Sequence, residues 1–219
     1  MTLKYLTSLL ILLLVSHVAL AQQSDPARYT INAQLLVAAR NGDDASARRL
    51  LDAGAAINAR NRGGNTALIM FAEKGNAEMV DLLLARGADI DLPNLDRVTP
   101  LMAAAYSGNA GIVRLLLERG AQIDREDHVY KTAMIYAAAE GHDEVVNVLL
   151  EAGIDVNQTY RHGLTALMWA AGYGRADTVR LLLARGADRA LKDDRGKSAL
   201  DIAGELKKEG VVAVLKVQD

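Results

Sequence analysis

Residues 99–120 read Thr99-Pro100-Leu101-Met102-Ala103-Ala104-Ala105-Tyr106-Ser107-Gly108-Asn109-Ala110-Gly111-Ile112-Val113-Arg114-Leu115-Leu116-Leu117-Glu118-Arg119-Gly120. Outward from this stretch the same landmarks return every 33 residues. Thr66, Thr99, Thr132, Thr165 and Ser198 form one series. Gly42, Gly75, Gly108, Gly141 and Gly174 form a second, and Gly54, Gly87, Gly120, Gly153 and Gly186 a third. Three series locked in one phase define a repeat architecture, in which each unit buries its apolar face against its neighbours.

The unit has a physical reading. The hydroxyl of Thr66 or Thr99 is placed to cap a helix by accepting an otherwise unpaired backbone N–H. Pro100 stands at the first helical position, where its missing N–H costs least. The helix that follows is short and alanine-dense, as in Ala103-Ala104-Ala105 and Ala137-Ala138-Ala139, so a neighbouring unit can approach closely. The second glycine series ends it. A second helix carries the heavier apolar stripe at i, i+3, i+4: Val80, Leu83 and Leu84; Val113, Leu116 and Leu117; Val146, Leu149 and Leu150; Val179, Leu182 and Leu183. Arg86-Gly87 and Arg119-Gly120 close it, with the cation at the negative helix end. Asp89, Asp91, Asp124 and Asn157 build the turn to the next unit.

Thr99-Pro100-Leu101-Met102-Ala103-Ala104, Thr165-Ala166-Leu167-Met168-Trp169-Ala170-Ala171 and Leu181-Leu182-Leu183-Ala184-Arg185-Gly186-Ala187-Asp188 resemble the ankyrin repeat, whose pattern is Thr-Pro-Leu-His-x-Ala-Ala, then Gly-His, then Val-x-x-Leu-Leu-x-x-Gly-Ala-Asp. The likeness covers about residues 32 to 215. The histidine of the pattern is replaced by Ile69, Met102, Ile135, Met168 and Asp201, and of the prolines only Pro100 is kept. The resemblance implies an all-α solenoid of about six stacked helix-turn-helix units joined by β-turn loops. The units fall at about 32–60, 61–93, 94–126, 127–159, 160–192 and 193–219. The two end units are atypical, as caps should be. The first offers Gln34, Arg40, Arg48 and Arg49 to water. The last loses phase at Lys207 and Gly210, yet keeps Val211, Val212 and Leu215 to cover its neighbour.

Residues 1–21 read as an export leader: a positive start at Lys4, an apolar run from Leu9 to Val15, and Ala19-Leu20-Ala21 as the cleavage site. A membrane anchor is disfavoured because Thr7, Ser8, Ser16 and His17 interrupt the run and a span needs about 20 apolar residues. The mature chain then starts at Gln22, and residues 22–31, which carry no repeat signal, are expected to be an N-terminal arm. Cysteine is absent, which excludes disulfides, thiolate metal sites and a cysteine nucleophile. An exported chain without cysteine fits the periplasm, or secretion, better than a disulfide-stapled class. The formal charge of −2 becomes −3 without Lys4, the only charge in the leader, and gives no reason to expect nucleic acid.

No enzyme signature is found, and no cofactor or metal is implied. Gly196-Lys197-Ser198 lacks the earlier glycine of a phosphate loop. His142 follows Gly141 where the family pattern has Gly-His and reads as a turn residue. His128 and His162, with Glu126 or Asp127, could in principle supply a two-histidine, one-carboxylate site, but they sit on separate turn tips. Glu126-Asp127 and Asp193-Asp194 read as solvated pairs. Met70, Met79, Met102, Met134 and Met168 read as packing, and Asn157-Gln158-Thr159 as a glycosylation acceptor pattern that matters only in a eukaryote.

In proteins of this resemblance partners bind the concave side, formed by the turn tips and the edge of the first helices. Carried over position by position, that frame selects Arg62, Asn65 and Lys74, then Leu95, Asp96 and Tyr106, then His128 and Lys131, then Arg161, His162, Trp169 and Tyr173. Tyr106 and Tyr173 hold equivalent positions, and tyrosine and tryptophan are favoured interface anchors. The expectation is a monomeric, periplasmic binding scaffold for another protein, without a membrane anchor once the leader is cut. Some bacterial proteins of this look are associated with peroxide stress. The alternative is a module for a non-protein ligand such as a cell-wall fragment or small molecule.

Overall fold

The computed structural model describes residues 26–217. The expected leader and residues 22–25 of the arm lie outside them. Twelve α-helices and no strand occur among the described residues, in hairpins of a first and a second helix. The first helices are α1 (Pro26–Asn41), α3 (Ala67–Lys74), α5 (Pro100–Tyr106), α7 (Ala133–Glu140), α9 (Ala166–Tyr173) and α11 (Ala199–Glu205). The second helices are α2 (Asp44–Asp52), α4 (Ala77–Ala85), α6 (Ala110–Glu118), α8 (Asp143–Glu151), α10 (Ala176–Ala184) and α12 (Glu209–Lys216). Each first helix packs on the next first helix and on its own second helix, and the second helices pack in a parallel row. Helix α1 begins at Pro26, inside the segment expected to be an arm, so residues 26–31 are part of the first hairpin.

The caps follow the hydroxyl series. Thr66, Thr99, Thr132, Thr165 and Ser198 each accept from the backbone N–H three residues on, at 3.2–3.4 Å. At that third position Asp201 bonds back to the Ser198 N–H and completes a capping box. In the four regular units the same position holds Ile69, Met102, Ile135 and Met168, all buried. A first helix is covered on nearly every side, so its interior face is a run of alanines rather than a stripe. Ala104, Ala105, Ala137, Ala138, Ala170 and Ala171 are fully buried, and their lack of bulk is what lets successive hairpins close up. The second helices supply the volume: Leu83, Leu116, Leu149 and Leu182 are each 0% exposed. All five methionines named above are buried as well, as packing requires.

Three polar devices set the stack. At the start of α6, α8 and α10 a side chain reaches back under the preceding unit. Asn109 Nδ2 donates to the Ala72 and Glu73 carbonyls, His142 Nε2 meets the Tyr106 carbonyl at 2.8 Å, and Arg175 Nε donates to Ala139 at 2.7 Å. These carbonyls stand at the ends of α3, α5 and α7, where a helix leaves its last acceptors short of intrahelical donors. His142 is therefore a turn residue with a joint to make, and it lies so close beneath Gly108 that a Cβ there would stand 2.7 Å from Nδ1. In the turns, Asn58, Asp91 and Asn157 accept from the N–H of Asp89, Gln122 and Asp188 in the following unit. Asn157 also donates to the Gly186 carbonyl, so the acceptor-pattern asparagine is a staple between units. Ion pairs Arg86–Asp52, Arg119–Asp81 and Arg185–Glu151 join successive second helices.

The end units behave as lids. Gln34, Arg40 and Arg49 face water, while Arg48 pairs with Glu78 at 2.5 Å. In the last unit Lys207 takes the left-handed backbone (φ 55°) expected of a glycine. The hairpin is kept, and Val211 and Leu215 are buried against α10 and α11, with Val212 half-buried.

Candidate functional site

The turn tips of the second, third, fourth and sixth units are each built by one acceptor side chain. Asn61 takes the N–H groups of Gly63 and Asn65, Asn94 those of Asp96 and Val98, Asp127 those of Val129 and Lys131, and Asp193 those of Arg195 and Lys197. This corrects the expectation that Asp127 and Asp193 are solvated. Asp127 is 3% exposed and Asp193 6%, and both are committed to the backbone. The Asp193 carboxyl is held below the ordinary carboxylate range, first by the Lys197 N–H and then by Arg195. Three residues past that acceptor the chain turns left-handed. Gly64, Gly163 and Gly196 do this without strain, but Arg97 (φ 63°) and Tyr130 (φ 66°) do it with a side chain; His162, one residue before Gly163, is left-handed as well (φ 63°).

The fourth tip organises an aromatic ridge. Asp127 Oδ2 accepts from the Tyr136 hydroxyl at 2.5 Å. Burial, then this carboxylate, pushes the Tyr136 hydroxyl well above its ordinary titration range. Tyr136, fixed in this way, meets Tyr106 edge-on with centroids 5.7 Å apart, and Trp169 and Tyr173 stand 6.0 Å apart on the next helix. Lys131 lies between the two pairs, its Nζ 5.4 Å from Tyr136, 5.3 Å from Trp169 and 6.0 Å from Tyr173. One ammonium thus links rings from α7 and α9. Tyr106 and Tyr173 remain 49% and 45% exposed, while Tyr136 and Trp169 are half-buried behind them.

Two recesses flank the ridge. One, of about 250 Å³, lies between α3 and α5 and is bordered by Asn65, Glu73, Val98, Tyr106 and Tyr136. The other, of about 370 Å³, lies between the fourth and fifth tips, with His128, Arg161 and His162 on its rim and Val129, Leu164 and Trp169 in its wall. Arg161 lies over Tyr130, Cζ 3.6 Å from the centroid. The other tips are tied by backbone bonds, Leu95 N–H to Gly63, His128 N–H to Asp96 and Asp194 N–H to His162; between the fourth and fifth tips the tie is this cation on a ring. A recess of about 620 Å³ lies on the second-helix side near Leu183 and Val214, remote from the ridge.

The ankyrin-repeat family model, described as three copies of the repeat, matches residues 35–127 and 134–218. The chain belongs to the ankyrin-repeat family. No curated protein gives a significant match. Ankyrin repeats mediate protein–protein contacts and are typically scaffolds without catalysis, and the geometry sorts the residues expected from sequence on that footing. Tyr106, Lys131, Trp169 and Tyr173 are brought into one contact network, and His128, Arg161, His162 and Trp169 onto one recess. Arg62 borders a separate groove with α1. Lys74 lies at the end of α3, and Leu95 and Asp96 on the third tip are exposed. Asn65 is partly committed within the fold, because its Oδ1 accepts from Asn94 Nδ2 at 2.9 Å.

His128 and His162 do not converge on a carboxylate. His162 stands 3.8 Å from Asp194, and among the described residues no group of three or more His, Asp or Glu is placed to hold a metal ion. Also among the described residues, no helix is long and apolar enough to cross a membrane. Tyr130 and Tyr160, both bordering the larger recess of the ridge, are not picked out by the family frame. Their signal is phase: Tyr130 falls in the series Gly64, Arg97, Gly163, Gly196, and Tyr160 replaces the tip acceptor Asn61, Asn94, Asp127 and Asp193. Burial pushes the Tyr160 hydroxyl up to about 12.

Proposed function

We propose that the chain is an exported, periplasmic scaffold that binds one partner protein across its first helices and tips, performing no chemistry of its own. The observation that carries this reading is the ridge of Tyr106, Tyr136, Trp169 and Tyr173 around Lys131. Rigid aromatic anchors with a polar rim are what protein interfaces use. Carboxylates that converge in a deep pocket would favour a small ligand or an enzyme instead, and here Asp127 and Asp193 are turned inward to hold the tips. A role in peroxide stress remains part of the proposal through the family resemblance alone.

Photo-crosslinking across the surface tests the reading. A crosslinker placed at Tyr106 or Tyr173 should yield one discrete adduct, and one placed at the exposed second-helix positions Arg114 or Glu144 should yield none. Adducts from the second-helix side alone would overturn it. For export, N-terminal sequencing of the processed chain should begin at Gln22, and an intact Met1 would refute the leader.

A further inference from the structure

Two cations of the ridge are held differently from the arginines that are paired elsewhere among the described residues. Arg86, Arg119, Arg175, Arg185 and Arg195 each meet a carboxylate. Lys131 and Arg161 lie instead over aromatic rings. A ring face attracts a cation but neither cancels its charge nor fills its directional N–H donors. Asp127, on the same tip as Lys131, is already occupied by two backbone N–H groups and the Tyr136 hydroxyl. Asp194, on the last tip, stands by His162. Arg161 lines the recess between the fourth and fifth tips, and Lys131 reaches it through Trp169, a ring the two features share.

We propose that this recess takes an apolar side chain from an acidic, extended segment of the partner protein, with carboxylates on either side of it meeting Lys131 and Arg161. The inference rests on the protein-binding reading above and names the chemistry of its partner. A cationic segment is disfavoured because the ring faces already hold Lys131. A purely apolar segment would leave both cations unpaired as water is excluded, which is costly. The full chain carries a net charge of −2, so an acidic segment finds its complement locally rather than in the bulk charge. Adjacent helices lie about 10 Å apart and an extended chain advances about 3.4 Å per residue. A segment crossing the ridge therefore meets a new unit about every three residues, and an anchor about six residues from the first reaches the recess beside Tyr106, two units away.

The test uses the full chain and fluorescein-labelled synthetic peptides in which a central Leu is flanked by Glu, Gln or Lys, with a Glu-flanked Ala peptide as control. Binding is read by anisotropy and, with unlabelled peptide, by the emission of Trp169, the only tryptophan in the sequence. The Glu-flanked Leu peptide should bind at least about tenfold more tightly than the Gln-flanked or Ala peptides, should shift Trp169 emission, and should weaken as salt rises. Lys131→Gln with Arg161→Gln should remove the tenfold advantage while the chain stays folded, its melting transition lowered by only the few degrees that lost ring contacts cost. Equal binding of Glu- and Gln-flanked peptides overturns the proposal, as does an advantage that survives the double variant, or no binding by any peptide. Equal competition by a single-stranded oligonucleotide overturns it too, in favour of an unspecific anion surface. If the panel fails while Tyr106 and Tyr173 still crosslink one protein, only the acidic-segment inference falls; if both fail, the protein-binding reading falls with it.

Discussion

The two sides of the stack use the same repeat differently. On the second-helix side, charge is paired between units: Arg86 reaches Asp52 at 2.7 Å, Arg119 reaches Asp81 at 2.5 Å and Arg185 reaches Glu151 at 3.6 Å. On the first-helix side, at the fourth and fifth tips, Lys131 and Arg161 rest on rings and keep their charge. Partly exposed ion pairs are worth only about 0–1 kcal/mol each, so the first arrangement contributes register more than strength. The second contributes little register and leaves a cationic, aromatic surface. A side that closes its electrostatics has finished its work in folding, whereas a side that leaves them open has not.

The contrast can be broken most forcefully in the packing beneath both sides. Leu116→Ala, at a position 0% exposed on α6, should cost about 2–5 kcal/mol through a cavity between units, seen in urea unfolding; a smaller loss would mean the alanine-rich joints can collapse to fill it. Next in size is the fourth tip. Asp127→Ala leaves two backbone donors and the Tyr136 hydroxyl without their acceptor, a loss of about 1–3 kcal/mol. Asp127→Asn should keep the tip, since Asn61 and Asn94 perform the same task, yet lower the ultraviolet titration of one tyrosine in part, because burial still raises Tyr136 but the carboxylate that adds to it is gone.

The double change Tyr106→Ala, Tyr173→Ala separates the sides directly. It should weaken partner binding by at least ~2 kcal/mol, while stability falls by about 0.5–1.5 kcal/mol for each aromatic pair broken; unaltered crosslinking from neighbouring positions would place the interface elsewhere. Arg119→Gln, on the other side, should cost under about 1 kcal/mol and leave peptide binding unchanged.

The smallest effect is one of slope. The Asp201 carboxyl is lowered from its ordinary value near 3.8 by the Ser198 hydroxyl and N–H. A depressed carboxyl contributes its stability fully above the ordinary value and loses it as pH falls through the lowered one. Asp201→Asn should therefore melt below the parent at pH 7, with the gap closing under pH 3.8. A gap independent of pH would show that the cap works through shape alone.

Much of this architecture can be read from residues. The phase of Thr66 through Ser198 places the cap of every first helix from α3 to α11, and the Val-x-x-Leu-Leu stripes place the buried faces of the second helices, because both are local and periodic. The ridge is legible only as a row of candidates: Tyr106, Lys131, Trp169 and Tyr173 share a frame, but that one ammonium links two ring pairs depends on rotamers no spacing fixes. The inward turn of Asp127 and Asp193 escapes a reading of residues because two adjacent carboxylates look solvated until the tip folds around one of them. Residues 26–31 escape it for the opposite reason: an end unit departs from the pattern, so a real helix carries no repeat signal.

The joints under Gly75, Gly108 and Gly141 have a consequence for the order of the units. An amide at Asn109, an imidazole at His142 and a guanidinium at Arg175 all complete the helix end before them, yet they differ in length, shape and donor geometry. Each seat is cut for one occupant. Hairpins that look interchangeable by their helices are not interchangeable by their seams, and a chain with its middle units permuted would place the wrong side chain under each glycine. The order in which Tyr106, Lys131 and Tyr173 face outward is thereby written into the hidden side of the stack.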